Sequence, residues 1–241
     1  MKIIGTGSIL PKKVVTNDML ARFLDTSDEW IRTRTGVVSR HVISDERLED
    51  MAIEAAKMAL DNAGMKTEEL DFIICSNVVN EYVTPQLSCI IQGGIGATCP
   101  CIDINCACAG FIYAVEIAES FYQAGKVRNV LVVSAEEPTR MTDWNDRRTC
   151  VLFGDGAGAA VLAPGDNIKC VKLSASSATD KLWQYRLLHP TPYITKKETD
   201  VPLQMKGQDV FKFAVKAAST DISRVLAETG HGADDVDHYL L

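Results

Sequence analysis

The chain has 241 residues, 46% of them apolar and 24% charged, enough to bury a sizeable core as one large domain or two intimately packed halves. A net charge of −7 argues against a nucleic-acid surface, while leaving room for a local basic patch that meets an acidic ligand or partner. No apolar run reaches membrane-spanning length, and Met1-Lys2-Ile3-Ile4-Gly5 reads as a strand rather than a signal peptide, so a cytoplasmic protein without membrane attachment is expected.

In chain order, residues 2–8 predict a strand and Thr16-Asn17-Asp18 announces a short helix. A longer helix is expected over 45–63, where Leu48, Met51, Ala52, Ala55 and Ala59 share one face and Gly64 supplies the stop. Strand 71–75, helix 85–93 and strand 101–105 follow, then a helix from 109 to Gly125 and strands at 129–134 and 157–162. Continuous apolar strands alternating with helices predict an α/β fold with a largely parallel or mixed sheet buried between helices. A second series opens with a strand at 168–175 and an irregular, mobile loop from Lys181 to Pro202. Helix 208–229 is expected to turn Phe211, Ala214, Val215, Ala218, Ile222, Val225 and Leu226 to the core, with Gly230 at its end and a closing strand at 237–241.

The two series repeat at a constant offset of 166: Leu60, Gly64, Leu70, Asp71 and Ile74 recur as Leu226, Gly230, Val236, Asp237 and Leu240. This reads as a duplicated half-domain, with a first half over 1–165 and the start of a second over 166–241. The first copy continues from Cys75 to Leu162 and the second stops at Leu241, so the second half is expected to be incomplete.

Eight cysteines, several of them in apolar strand-like runs (Cys75, Cys101, Cys170), suit reduced buried thiols better than a disulfide framework. Cys99, Cys101, Cys106 and Cys108 lie close together but form no C-x-x-C knuckle, so no metal site is expected. Cys108 differs from the rest, because an apolar strand delivers it straight to the start of a helix. Unpaired helical N–H groups and aligned peptide dipoles favour negative charge there, which makes this sulfur a candidate acyl acceptor. Gly154-Asp155-Gly156-Ala157-Gly158 opens into a strand rather than a helix, which argues against phosphate cradling and for close backbone approach.

Five separated segments carry a resemblance that none carries alone: Asp25-Thr26-Ser27-Asp28-Glu29-Trp30-Ile31, Thr33-Arg34-Thr35-Gly36, Ala107-Cys108-Ala109-Gly110-Phe111, Phe153-Gly154-Asp155-Gly156-Ala157-Gly158-Ala159, and Met205 through Lys212. Together they resemble β-ketoacyl-acyl carrier protein synthase III of the thiolase superfamily. The resemblance implies a thiolase-like duplicated α-β-α-β-α layered fold and a decarboxylative Claisen condensation that initiates fatty acid biosynthesis. An acyl group, acetyl above all, moves from coenzyme A to Cys108, and malonyl-acyl carrier protein then loses carbon dioxide and attacks it.

By the same resemblance Cys108 is the nucleophile, with its own N–H as half of an oxyanion hole. Trp30 and Arg147 match positions that sandwich the adenine of coenzyme A, and Arg34 and Thr26 match positions near its nucleotide and phosphates. Arg148 and Val38 depart from the family pattern. Met205, Gly207, Phe211 and Ala214 resemble the pantetheine tunnel wall, although Phe211 and Ala214 also fall on the core stripe of their helix. Lys212 resembles a residue that docks the acidic carrier protein, and a solvated helix lysine would look the same. The family implies a homodimer and no resident cofactor, coenzyme A entering as a thioester substrate.

The family's enolate-stabilising histidine and asparagine have no counterpart in the sequence. His238 sits inside the expected last strand, and His41, His189 and His231 have no motif behind them. The chain as written is therefore expected to be inactive or impaired in condensation. Two other readings stay open: a specialised-metabolism acyltransferase on the same fold, and a non-catalytic fragment or partner-binding subunit.

Overall fold

The computed structural model describes residues 1–186, 191–193 and 200–240. In chain order these hold β1 (Lys2–Ile9), β2 (Lys13–Thr16), α1 (Asn17–Leu20), α2 (Asp28–Thr35), β3 (Ser39–Val42), α3 (Leu48–Ala63), β4 (Phe72–Ser76), α4 (Leu87–Ile95), β5 (Cys101–Ile104), α5 (Gly110–Gln123), β6 (Val130–Glu136), β7 (Gly156–Ala163), β8 (Leu182–Trp183), β9 (Gln204–Met205) and α6 (Gly207–Thr229). No helix among the described residues is long and apolar enough to cross a membrane. Two compact units emerge, the first from residues 1–15, 39–138 and 154–173, the second from residues 16–38, 139–153 and 174–241.

The first unit is an α/β/α sandwich, and its strand sequences explain why. Its mixed sheet has the order β1-β7-β6-β4-β5, with β4 parallel to β5 and β6, and β7 antiparallel to β1 and β6. Successive strand side chains face opposite sides of a sheet, so an uninterrupted apolar run serves a strand covered on both faces. Ile73, Cys75, Leu131 and Val133 pack with Ala52, Ala55 and Ala59 of α3 and with Leu87 and Ile91 of α4. Ile74, Val130 and Val132 point the other way, onto Ala114, Val115 and Ala118 of α5. Asp155 ties the entry of β7 to the β3 region: its N–H donates to the His41 carbonyl at 2.8 Å and its Oδ2 accepts from Ile43 N–H at 2.8 Å. The glycine-rich segment thus achieves close backbone approach, with Gly154 lying against Arg40 and His41.

The second unit contains α1, α2, the turn-rich segment 139–153, the antiparallel β8/β9 ribbon and α6. The repeat read from the sequence has a local counterpart. Gly64 and Gly230 both end their helices in the left-handed region (φ 62° and 72°), and Met65 and His231 donate to the Leu60 and Leu226 carbonyls. A 3-10 turn follows each, at Thr67–Glu69 and Ala233–Asp235, with Glu69 and Asp235 accepting from Lys66 and Gly232 N–H.

Several sequence expectations need correction. Residues 168–175 form no strand: Ile168 donates one backbone hydrogen bond to Met1, and Ile168 and Val171 pack on the α5 side as isolated contacts, so Cys170 lies in irregular chain. Residues 237–240 are also irregular, because an apolar run becomes a strand only where a ladder partner satisfies its backbone; Leu241 lies outside the described residues. Helix α6 forms as expected, but none of its residues is buried, and Phe211 is 66% exposed, so its apolar stripe is not a core face. The loop expected over Lys181 to Pro202 begins with β8, while 187–190 and 194–199, His189 among them, lie outside the described residues.

Candidate active site

The site is built upward from the end of β5. After Ile104 the chain passes through Asn105 and Cys106 into a 3-10 turn, Ala107–Ala109, and then α5. Ala107 has a φ of 48°, the one positive value among the described non-glycine residues, and an L-residue held there costs about 1–2 kcal/mol. This strained turn presents Cys108 exposed to solvent, just ahead of the α5 N-terminus. Cys106 caps the turn from outside and is only half-buried.

Gly110, the first residue of α5, is buried. A Cβ there would lie 1.7 Å from Ser76 Oγ and 2.8 Å from Ser76 Cβ, at the end of β4. The small residues Ala107, Ala109 and Gly110 leave room for a thioester to reach Cys108. For Gly110 the structure gives a different reason: only glycine lets the helix start abut β4.

The second unit gathers Trp30, Arg34 and Arg147. Helix α2 is capped by Ser27, whose Oγ accepts from Trp30 N–H at 3.1 Å, and Ile31 anchors its buried face. Arg34 follows Trp30 by one turn, and its guanidinium carbon stands 4.6 Å from the indole centroid. The Arg147 guanidinium stands 5.1 Å from the same ring, and also binds the Asp25 carbonyl and Asp25 Oδ2, the latter at 3.3 Å. A base held between indole and guanidinium needs two contact gaps of about 3.5–4 Å each, so the Trp30–Arg147 slot, at 5.1 Å, is closed and must widen by about 2–3 Å to admit one. Thr26 Oγ1 is buried without a hydrogen-bond partner among the described residues.

Two clefts open beside this cluster. One of about 470 Å³ is lined by Leu24, Asp25, Asn145, Asp146, Arg147 and Arg148. The other, about 280 Å³, is lined by Asp146, Arg148, Asp180, Lys181, Trp183, Gln204, Met205 and Lys206. Arg148 borders both and grips Asp146 in a fork, its Nε 2.9 and 3.0 Å from the two carboxylate oxygens; that hydrogen bonding holds the Asp146 carboxyl below its usual range. Lys181 and Lys206 share Asp180, at 3.1 and 3.4 Å.

The remaining predicted residues are placed as follows. Met205 ends β9 and Gly207 begins α6, while Phe211, Lys212 and Ala214 lie exposed along that helix. Thr26, Trp30, Arg34, Arg147, Met205, Gly207, Phe211, Lys212 and Ala214 all belong to the second unit, and Cys108 to the first. His41 Nδ1 contacts the Pro11 carbonyl at 2.6 Å, whereas His231 and His238 are exposed. Sequence reasoning missed the clustering of Arg148, Lys181 and Lys206 around Asp146 and Asp180, since distant contacts bring those segments together: the β8/β9 ribbon, and the Leu203 N–H that donates to the Met141 carbonyl at 2.8 Å.

An exposed cysteine lifted on a strained turn between β5, an edge strand parallel to β4, and the start of α5 suits an α/β enzyme of the thiolase-like class, with the thiol as its nucleophile. Comparison with known proteins agrees and narrows the class. Residues 102–180 match the family model described as 3-oxoacyl-[acyl-carrier-protein (ACP)] synthase III. The β-ketoacyl-[acyl-carrier-protein] synthase III of Xanthomonas campestris is 41% identical over 240 residues, covering 98% of this chain and 74% of that protein. The crystal structure of 3-oxoacyl-[acyl-carrier-protein] synthase III from Aquifex aeolicus superimposes with a TM-score of 0.86 at 39% identity, over 98% of this chain and 74% of that one. A priming β-ketosynthase from the R1128 polyketide pathway is 40% identical with a TM-score of 0.66, covering 68% of this chain and 50% of that one. The chain belongs to the β-ketoacyl-acyl carrier protein synthase III family.

Proposed function

We propose that the protein is an acyltransferase that performs the synthase III reaction: the Cys108 thiolate attacks the thioester carbonyl of an acyl-coenzyme A primer, acetyl-coenzyme A foremost, and coenzyme A leaves as its thiol. The acyl-enzyme then condenses with malonyl-acyl carrier protein, carbon dioxide is released, and fatty acid biosynthesis begins. The observation that carries this reading is the exposed Cys108 on its strained turn at the start of α5, in a chain 41% identical to a synthase III over 98% of its length.

In this reading Trp30, Arg34, Arg147 and Thr26 receive the nucleotide of coenzyme A, with Arg147 swinging off the indole to admit the base. Met205, Gly207, Phe211 and Ala214 line the pantetheine path, and Lys212 meets the acidic carrier protein. Coenzyme A is a substrate and no resident cofactor is needed. The protein works in the cytoplasm as a homodimer. Residues 1–165 form the nucleophile-bearing half and 166–241 begin the second. The test is intact-mass analysis with acetyl-coenzyme A. One acetyl group is expected on the wild-type chain and none on Cys108→Ala, and acetylation of that variant would refute the assignment.

Likeness to the R1128 priming β-ketosynthase supports a second reading, a specialised-metabolism acyltransferase that uses the same fold to transfer acyl groups onto other acceptors. Product analysis with malonyl-acyl carrier protein against a panel of other acceptors separates the two.

A further inference from the structure

Away from Cys108, two other cysteines face each other between α4 and β5. Cys89 lies in the first turn of α4, Cys101 opens β5, and their sulfurs are 3.3 Å apart. Gln86, just before α4, grips the pair from one side: its Nε2 donates to the Cys101 carbonyl at 3.0 Å and stands 3.5 and 3.7 Å from the Cys89 and Cys101 sulfurs. The two elements are also pinned independently. Asp103 of β5 accepts from the first two N–H groups of α4, Leu87 at 2.7 Å and Ser88 at 2.8 Å. Cys89 and Cys101 are both half-buried, open enough for a small oxidant, whereas Cys75 and Cys99 are sealed in the core.

We infer that Cys89 and Cys101 are a redox modification site that closes into a reversible intrachain disulfide when the protein meets a hydroperoxide. The sulfurs need to approach by about 1.3 Å to reach the bonded length of about 2.05 Å, a movement within reach of side-chain rotation. The chemistry balances as two thiols and one hydrogen peroxide giving one disulfide and two waters. Cys89, as its thiolate, attacks the O–O bond and becomes a sulfenic acid while hydroxide leaves and takes up a proton as water. Cys101 then attacks the sulfenyl sulfur, and its proton departs with the expelled hydroxide as the second water. Burial, and after it the neighbouring Cys89 sulfur, push the Cys101 thiol up, which leaves Cys101 the poorer first nucleophile. The bridge staples α4 to the strand that leads to Cys108.

The experiment uses the full chain, reduced and then exposed to excess hydrogen peroxide, acid-quenched and labelled with N-ethylmaleimide. Trypsin leaves residues 67–126 as a single peptide, so peptic digestion with fragment-ion mapping locates the label. Oxidation is expected to remove label from Cys89 and Cys101 in equal measure, lower that peptide pair by two hydrogens, and reverse with dithiothreitol. The bridge persists in Cys108→Ala and is lost in Cys89→Ser and in Cys101→Ser. The inference is overturned if Cys89 and Cys101 still take the label once Cys108 of the unsubstituted chain is fully oxidised. A bridge to Cys99, Cys106 or Cys108 overturns it equally, as does a link between two chains seen as a doubled mass on a non-reducing gel.

Discussion

Replacing Gly110 with alanine tests how the nucleophile is held in place. The added methyl would sit 1.7 Å from Ser76 Oγ and 2.8 Å from Ser76 Cβ, and Ser76 is 2% exposed in the central strand β4, with no room to retreat. Rotating the hydroxyl away relieves the first clash but not the second, so the helix start must lift. Overpacking of this kind costs about 1–3 kcal/mol, and alanine at the first helical position returns less than about 1 kcal/mol in helix propensity. The net loss of about 1–2 kcal/mol corresponds to a fall in Tm of about 2–8 °C for a chain of this size, read by differential scanning fluorimetry. Because Cys108 is two residues upstream, acetylation by acetyl-coenzyme A should slow on the order of 10- to 100-fold, the scale on which an ångström of misplacement acts. Ser76→Gly in the Gly110→Ala background removes the opposing Cβ and should restore most of both losses. Wild-type Tm and acetylation in Gly110→Ala alone would refute the packing account of this glycine.

Arg147→Ala removes the guanidinium that would close over a base stacked on Trp30, a contact of about 0.5–2 kcal/mol, and should raise KM for acetyl-coenzyme A about 2- to 30-fold with kcat little changed, measured by steady-state kinetics. Asp103→Ala strips the α4 N-terminus of both its carboxylate contacts and should cost about 1–2 kcal/mol in denaturant unfolding, with Asp103→Asn losing less. Glu136 ends β6, and burial pushes its carboxyl up to about 7, against Val78 N–H donation that pulls it down. The native state therefore keeps a proton that the unfolded chain releases near 4.5, and stability falls as pH rises from about 4.5 through 7. Glu136→Gln should gain about 1–3 kcal/mol over wild type at pH 8 and little at pH 4.5, read as Tm against pH.

What the sequence reveals and what it hides divide along a physical line. The central strands were readable because Val130 to Val133 and Phe72 to Cys75 are apolar on both faces, a demand that a sheet buried between α3 and α5 imposes locally. Helix ends at Gly64 and Gly230 were readable for the same local reason, the left-handed φ that glycine adopts freely. Interactions set by distant chain were not. The cap on α4 comes from Asp103, fifteen and sixteen positions beyond the N–H groups it satisfies, while Gln86 in the cap position makes no capping bond with its side chain. Runs such as 168–175 have strand-like composition and no ladder, since composition says what a segment tolerates and pairing decides what it becomes. The candidate site splits in the same way. Cys108 announced itself through its place between strand and helix, whereas Trp30, Arg34 and Arg147 were chosen through family resemblance, their spacing carrying no sign that two guanidiniums would share one indole.

The same division explains how one turn serves stability and chemistry at once. Ala107 in the left-handed region is unfavourable by itself, and a free peptide of this sequence would relax out of it. In the folded chain β5 fixes one side of the turn through its ladder with β4, and Gly110 fixes the other by seating α5 directly on Ser76. With both ends held, the two residues between Cys106 and Ala109 have one route, and that route turns the Cys108 side chain outward. The strain at Ala107 is thus sustained by packing at Ser76, which is why a methyl group placed at Gly110, without touching the thiol, is expected to appear first in the rate of its acylation.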